Sequence, residues 1–167
     1  CEDYIRRVPT PKFQEWKSIE TLTLALKQKE AIRPYVVCAG IPYGNGEEAF
    51  LGLFKAAWQN KDTLRIIGSG QNYIPTVHAR DAARLVRVLA EEKPTLDYHL
   101  AVDRGEITQR ALIQAVADEF GVGYEIESVN VVEAILAEFA DILTLDLRLE
   151  PSPCMEPGAG AAAPTGG

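Results

Sequence analysis

Cysteine, histidine and methionine are scarce in this 167-residue chain, with 3, 2 and 1 copies. Cys1, Cys38 and Cys154 are far apart and odd in number, so they outline neither a disulfide framework nor a zinc knuckle, and a reducing, intracellular setting is expected. Cys38 lies in the apolar run Tyr35 to Ala39, where an inert buried thiol is the plain reading. His78 and His99 each lack a second ligand at metal spacing, so no metal site is expected. No apolar run approaches the roughly 20 residues that a spanning helix requires, which excludes a membrane helix and gives no membrane partner. The phosphate cradle G-x-x-x-x-G-K-[ST] and the nucleophile elbow G-x-S-x-G are both absent, and Gly68-Ser69-Gly70 reads as a simple turn. There are no internal repeats.

Positive charge is also missing from the last third. Residues 118–167 hold 10 acids against the single base Arg148, whereas residues 1–117 hold 14 acids and 16 bases. The net charge of -7 therefore comes from the C-terminal part. Nucleic acid is not expected as the main partner, because phosphate contacts need clustered Lys and Arg. The acidic third is either a solvated face or a surface for a basic protein. The chain opens Cys1-Glu2-Asp3-Tyr4, without Met or a signal-peptide pattern, and reads as an internal piece of something longer.

What is present is ordinary globular material, 47% hydrophobic with a mean hydropathy of -0.07. Thr10-Pro11 predicts a helix start, and Phe13, Trp16, Ile19, Leu22 and Leu26 continue at helical spacing to about Lys29. Pro34 introduces a strand over Tyr35 to Ala39, and Gly40 to Gly46 reads as a loop. A second helix is expected from Glu47 to Gln59, with Phe50, Leu53, Phe54, Ala57 and Trp58 inward. Strands are expected at Leu64 to Ile67, Ile74 to Val77, Tyr98 to Val102 and Tyr124 to Ile126. Helices are expected at Ala79 to Glu92, with Ala82, Leu85, Val86 and Leu89 inward, and from Thr108 to a stop at Gly121, with Leu112, Ala115, Val116 and Phe120 inward. A last helix is expected near Val131 to Leu143. Alternating strands and helices predict an α/β fold with a mostly parallel sheet over residues 1–150. Residues 151–167, rich in Gly, Ala and Pro, read as a flexible linker.

Gly44-Asn45-Gly46-Glu47-Glu48-Ala49 matches G-x-G-x-x-A, a turn that can hold pyrophosphate at a helix N-terminus. Three features favour an ordinary loop. Ile41-Pro42-Tyr43 separates it from the preceding strand, Glu47 and Glu48 would sit where the phosphates lie, and Asp62 precedes the next strand instead of ending it. Arg80, Arg84 and Arg87 share a helical face that is either solvated or able to meet an acidic partner. His78 stands just before that helix, where a local polar contact is expected.

The order of these segments resembles the second half of the NAD-dependent epimerase/dehydratase family, the extended short-chain dehydrogenases. That family shows Tyr-x-x-x-Lys opening a helix, a strand leading to Tyr-Gly, a Gly-Asp-Gly-like turn, an Arg, and Val-His-x-x-Asp at a helix start. This chain offers Phe13-Gln14-Glu15-Trp16-Lys17, Tyr43-Gly44, Gly68-Ser69-Gly70 and Val77-His78-Ala79-Arg80-Asp81. The resemblance implies the C-terminal half of a Rossmann-like fold over residues 10–123. It also implies that Phe13 stands in place of the tyrosine that moves a proton during hydride transfer. Without a hydroxyl, general acid–base catalysis worth roughly 10²–10⁴ in rate is lost there. Ile74 replaces an arginine that grips sugar-nucleotide phosphate, Ala39 replaces a proline beside the nicotinamide, and Lys17 is left as a vestigial cofactor-binding residue. No residue of this segment is expected to be catalytic. Either no cofactor is expected, or NAD(P) bound with groups preceding Cys1. The alternative is an NAD(P)-dependent epimerase or reductase half-domain whose acid would be Tyr43.

The runs Tyr4 to Pro9, Tyr35 to Gly40, Ile74 to His78, Leu100 to Asp103 and Leu145 to Glu150 look like a ciliary family of adenylate kinases. In it a degenerate epimerase-like region precedes the kinase domain. That resemblance implies a scaffold or docking module with other axonemal proteins as partners, in the cytoplasm of the cilium or flagellum. Phosphoryl transfer would belong to residues beyond Gly167.

Overall fold

In the computed structural model, residues 6–29, 31–59, 63–120, 123–130 and 140–155 are described. Their elements are α1 (Gln14–Ala25), β1 (Val36–Ala39), β2 (Ile41–Tyr43), α2 (Leu51–Trp58), β3 (Thr63–Ile67), β4 (Thr76–His78), α3 (Ala79–Glu92), β5 (Tyr98–Ala101), α4 (Gln109–Phe120), β6 (Glu125–Val129) and α5 (Ala140–Leu143). Single 3-10 turns flank α1 at Pro11–Phe13 and Leu26–Gln28, and a third lies at Pro153–Met155.

All strand pairing is parallel, in the pairs β1–β5, β2–β4 and β3–β6. The expected α/β fold with a parallel sheet is therefore observed. Two apolar clusters hold it together. Ala57, Leu64, Ile66, Ile113, Val116 and Ala117 join α2, β3 and α4. Val77, Leu85, Leu89 and Ala101 join β4, α3 and β5, with Cys154 and Met155 packed against them.

Several boundaries differ from expectation. Ile41-Pro42-Tyr43 forms β2 where a loop was predicted. Ile41 donates its N–H to Pro75, so by alternation the position without an N–H, Pro42, faces away from β4 and costs no ladder bond. At Gly40 the chain changes partner: its N–H goes to Ala101 of β5, and the next residue bonds toward β4. A Cβ at Gly40 would lie 2.9 Å from the Pro75 oxygen, so only glycine fits this crossing.

α2 begins at Leu51 and not at Glu47: after the left-handed run Gly44–Gly46 (φ of 82°, 52° and 90°), the N–H groups of Glu47 and Leu51 close separate three-residue turns on Gly44 O and Glu48 O before the helix starts. Phe54 and Trp58 on α2 are exposed. In α3 the buried strip is Leu85, Val88 and Leu89, and Val86 faces solvent. In α4 Ile113 and Ala117 are buried with Val116, and Ala115 is exposed. The Thr108 cap is present, its Oγ accepting from Ala111 N–H at 3.1 Å. Thr10 opens the turn before α1 without a side-chain cap bond. Gly121 and most of Val131 to Leu143 lie outside the described residues.

The segment read as a linker from residue 151 is packed at its start. Ser152 is buried, donates its N–H to Leu100 O at 3.0 Å, and accepts Leu100 N–H on Oγ at 2.8 Å. This strap continues a stretch in which Leu147 N–H bonds Tyr73 O, and Asp146 accepts Tyr73 N–H at 2.8 Å. Residues 156–167 lie outside the described residues.

Candidate functional site

The carboxyl ends of β2, β4 and β5 bring Tyr43, His78 and Asp103 together. Ligands in open α/β sheets bind in this kind of crevice. A cleft of about 880 Å³ opens there, walled by Tyr43, Phe50, Phe54, Asp103, Ile107 and Leu112. A neighbouring cavity of about 410 Å³ lies between α2, β3 and α4 and includes Arg65, Ile67, Ile74, Gln109 and Glu127.

Asp103 organises the cluster. Its carboxylate accepts the Thr76 hydroxyl at 3.1 Å and the His78 N–H at 3.2 Å, and its own N–H donates to Thr76 O at 2.7 Å. The Tyr43 hydroxyl lies in the same cluster, close enough for the Asp103 carboxylate to act on its titration. His78 caps α3 by accepting Arg80 N–H on Nδ1 at 3.1 Å, the local polar contact expected from sequence. That leaves Nε2 to carry the proton of a neutral ring. The ring sits edge-on to Tyr43 at 5.2 Å and against Gly44, where a Cβ would lie 2.4 Å from Nε2. Gly44 is thus required twice, by its φ and by this ring.

Burial raises the Tyr43 pKa first, and the hydrogen bond and charge of Asp103, then the charge of Asp81, raise it further. A tyrosine that shuttles protons near neutral pH needs the opposite, a cation that lowers its pKa. The surroundings of Tyr43 therefore favour its neutral form.

The residues singled out by resemblance lie elsewhere. Phe13 ends the turn before α1, with the Lys12 ammonium 5.5 Å from its ring centre. Lys17 Nζ donates to the backbone carbonyl of Arg7. Among the described residues no hydrogen bond, ion pair or ring contact links Phe13 or Lys17 to Tyr43, His78 or Asp103. Ile74 is buried in the wall of the smaller cavity, its N–H bonded to Ile107 O at 3.0 Å. Ala39 ends β1 and is exposed.

Phe13 offers no hydroxyl, the Lys17 ammonium is spent on a carbonyl, and no helix begins at the Gly44–Gly46 turn to face a pyrophosphate. No group of three or more metal-ligating side chains exists among the described residues, and no described helix is long and apolar enough to cross a membrane.

Sequence reasoning missed two residues. Asp103 gave the signal of an acid two positions past an apolar strand. Gln109, buried at the start of α4, accepts Ile67 N–H on Oε1 at 3.1 Å and gave no signal at all.

No protein-family profile matches the chain. Solved structures define the class. A dTDP-glucose 4,6-dehydratase from Bacillus anthracis in complex with NAD superposes with a TM-score of 0.65 at 17% identity, over 74% of this chain and 41% of its own. RMD from Pseudomonas aeruginosa complexed with NADPH gives 0.64 at 19%, over 78% and 46%. A UDP-glucuronic acid 4-epimerase from Bacillus cereus gives 0.57 at 15%, over 78% and 49%. The fold is that of the Rossmann-like epimerase/dehydratases, of which this chain supplies a part.

Within that class the sequence is homologous to one kind of protein in particular, adenylate kinase 7. The mouse protein is 31% identical over 156 residues, which cover 89% of this chain, and that of Macaca fascicularis 29% over 121 residues, which cover 70%. The chain spans about a quarter of either relative, 25% and 23%.

Proposed function

We propose that this region is a non-catalytic, epimerase-like scaffold of an adenylate kinase 7-type protein, serving to dock that protein to axonemal partners in a cilium or flagellum. The observation that carries this reading is the pairing of Phe13 at the tyrosine position with Tyr43, the acid the family geometry would leave, whose pKa is raised by burial and by the neighbouring Asp103. Neither can cycle a proton near neutral pH. Lys17, engaged on the Arg7 carbonyl, is a remnant of a cofactor site. Homology to adenylate kinase 7 supports the assignment of any phosphoryl transfer to sequence outside this quarter.

The second reading is a half-domain that still binds NAD(P). Solved neighbours in complex with NAD and NADPH favour it. Titration calorimetry of the complete protein with NAD(H) and NADP(H) separates the two. A flat titration supports the scaffold, and saturable binding weakened by Lys17→Ala supports the second reading. Phe13→Tyr is expected to create no turnover, since the lysine and loop that would serve the new hydroxyl are committed elsewhere.

A further inference from the structure

The two cavities treat their polar groups differently. In the larger cleft the polar groups answer one another, with Asp103 accepting from Thr76 and His78. In the smaller one, between α2, β3 and α4, a donor is left open. Gln109 lines that cavity, is 4% exposed and stands at the first position of α4. Its backbone N–H is tied to Asn72 O at 3.1 Å, and its Oε1 accepts the Ile67 N–H at 3.1 Å. Because Ile67 supplies a donor, the side-chain atom that meets it is the oxygen. That fixes the orientation of the amide and leaves Nε2 for the cavity. Among the described residues Nε2 makes no hydrogen bond. An amide donor held without an acceptor in a buried residue marks a place where something else supplies one.

The surroundings define the chemistry of that something. Phe50, Leu53, Ile67, Ile74, Leu112 and Ile113 form most of the wall. Charge is balanced there, because Arg65 and Glu127 stand opposite each other in the β3–β6 register, one of each sign. Ile74, where the family resemblance implies a phosphate-gripping arginine, is buried and adds a further apolar face. A diphosphate would bring its negative charges to a wall whose one cation is already opposed, so an anionic nucleotide sugar is the wrong ligand. The volume of about 410 Å³ is that of a small-molecule site, and an apolar wall with one fixed donor is how such sites orient a ligand.

We propose that this cavity binds an uncharged, mainly apolar small molecule through one carbonyl-type oxygen that accepts from Gln109 Nε2. The walls take apolar surface out of water, and the amide sets the orientation. A water molecule alone would satisfy the amide and leave the apolar walls bare. Binding here uses neither Phe13 nor Lys17, so the inference goes beyond the scaffold reading and does not depend on it.

The test compares two probes of one shape on the complete protein. Benzophenone carries the carbonyl, and diphenylmethane replaces it with a methylene group. Binding is titrated by saturation-transfer NMR, after which bound benzophenone is photoactivated and the labelled peptides are mapped. The proposal expects saturable benzophenone binding, labels on α2, β3 or α4, and diphenylmethane about 2–10-fold weaker, the share of one hydrogen bond. Gln109→Leu should abolish that preference. Because it also removes the acceptor of the Ile67 N–H, a second variant leaves this contact alone. A Cβ at Gly52 meets no atom within 4 Å, so Gly52→Phe adds bulk at the cavity wall, in a helix that is favoured by losing a glycine. It should weaken benzophenone about tenfold or more. No saturable binding, labels elsewhere, equal affinity for the two probes, or unchanged binding in Gly52→Phe would each overturn the proposal.

Discussion

Asp103 shows how one side chain sets the character of the cleft. Two donors converge on it, so Asp103→Ala leaves the Thr76 hydroxyl and the His78 N–H without their acceptor, at about 1–3 kcal/mol. Asp103→Asn removes the charge that helps to raise the Tyr43 pKa, so the phenol should titrate at lower pH than in the parent by ultraviolet difference spectroscopy. An unchanged or higher titration point would contradict the assignment. His99 tests the opposite sign. Its ring is buried, Nε2 lies 2.9 Å from Leu96 O, and burial lowers its pKa. The folded state then resists protonation while the unfolded chain accepts it. Its contribution is fully present above about pH 6.5, the ordinary histidine value, and is lost as pH falls toward the lowered folded value. Denaturant midpoints should drop over that window, and His99→Gln should flatten the slope. Sequence placed His78 correctly because a residue before a helix has few tasks. It could not find Gln109, whose partner Ile67 lies 42 positions away.

Elements were legible where the apolar period was clean. α3 was found end to end, from the extended His78 cap to Lys93, which closes it at φ of 49°. Its rotation was misjudged, since Val86 and Val88 suit the spacing equally and only the packing partners on β4 and β5 decide. Leu85→Ala should therefore cost about 2–5 kcal/mol, and Val86→Ala should stay within about 0.5 kcal/mol, both from urea unfolding. β2 was hidden by Pro42, because whether a strand tolerates proline depends on which edge it presents, and the start of α2 was hidden by the turns that occupy Gly44 to Leu51. The strap was hidden by its composition. Pro151-Ser152-Pro153 looks like a linker, yet Ser152 completes the β5 edge, and Ser152→Ala should cost about 1 kcal/mol by leaving the Leu100 N–H unanswered.

Across the whole chain, the sequence carried the α/β class and the likeness to epimerase/dehydratases, since strand–helix alternation and short runs such as Val77-His78-Ala79-Arg80-Asp81 are local. The candidate site was less legible. Phe13 drew attention through a resemblance, whereas the cluster that the fold assembles is Tyr43, His78 and Asp103, drawn from three strands. In the proposed scaffold reading the two sets complement each other: Phe13 lacks a hydroxyl, and the Tyr43 hydroxyl is pushed to a raised pKa by burial and by Asp103. The most direct test is NAD(P)H oxidation by the complete protein, assayed with nucleotide-sugar substrates beside Lys17→Ala. The account predicts no rate above buffer for either. Oxidation by the parent that disappears in Lys17→Ala would contradict it.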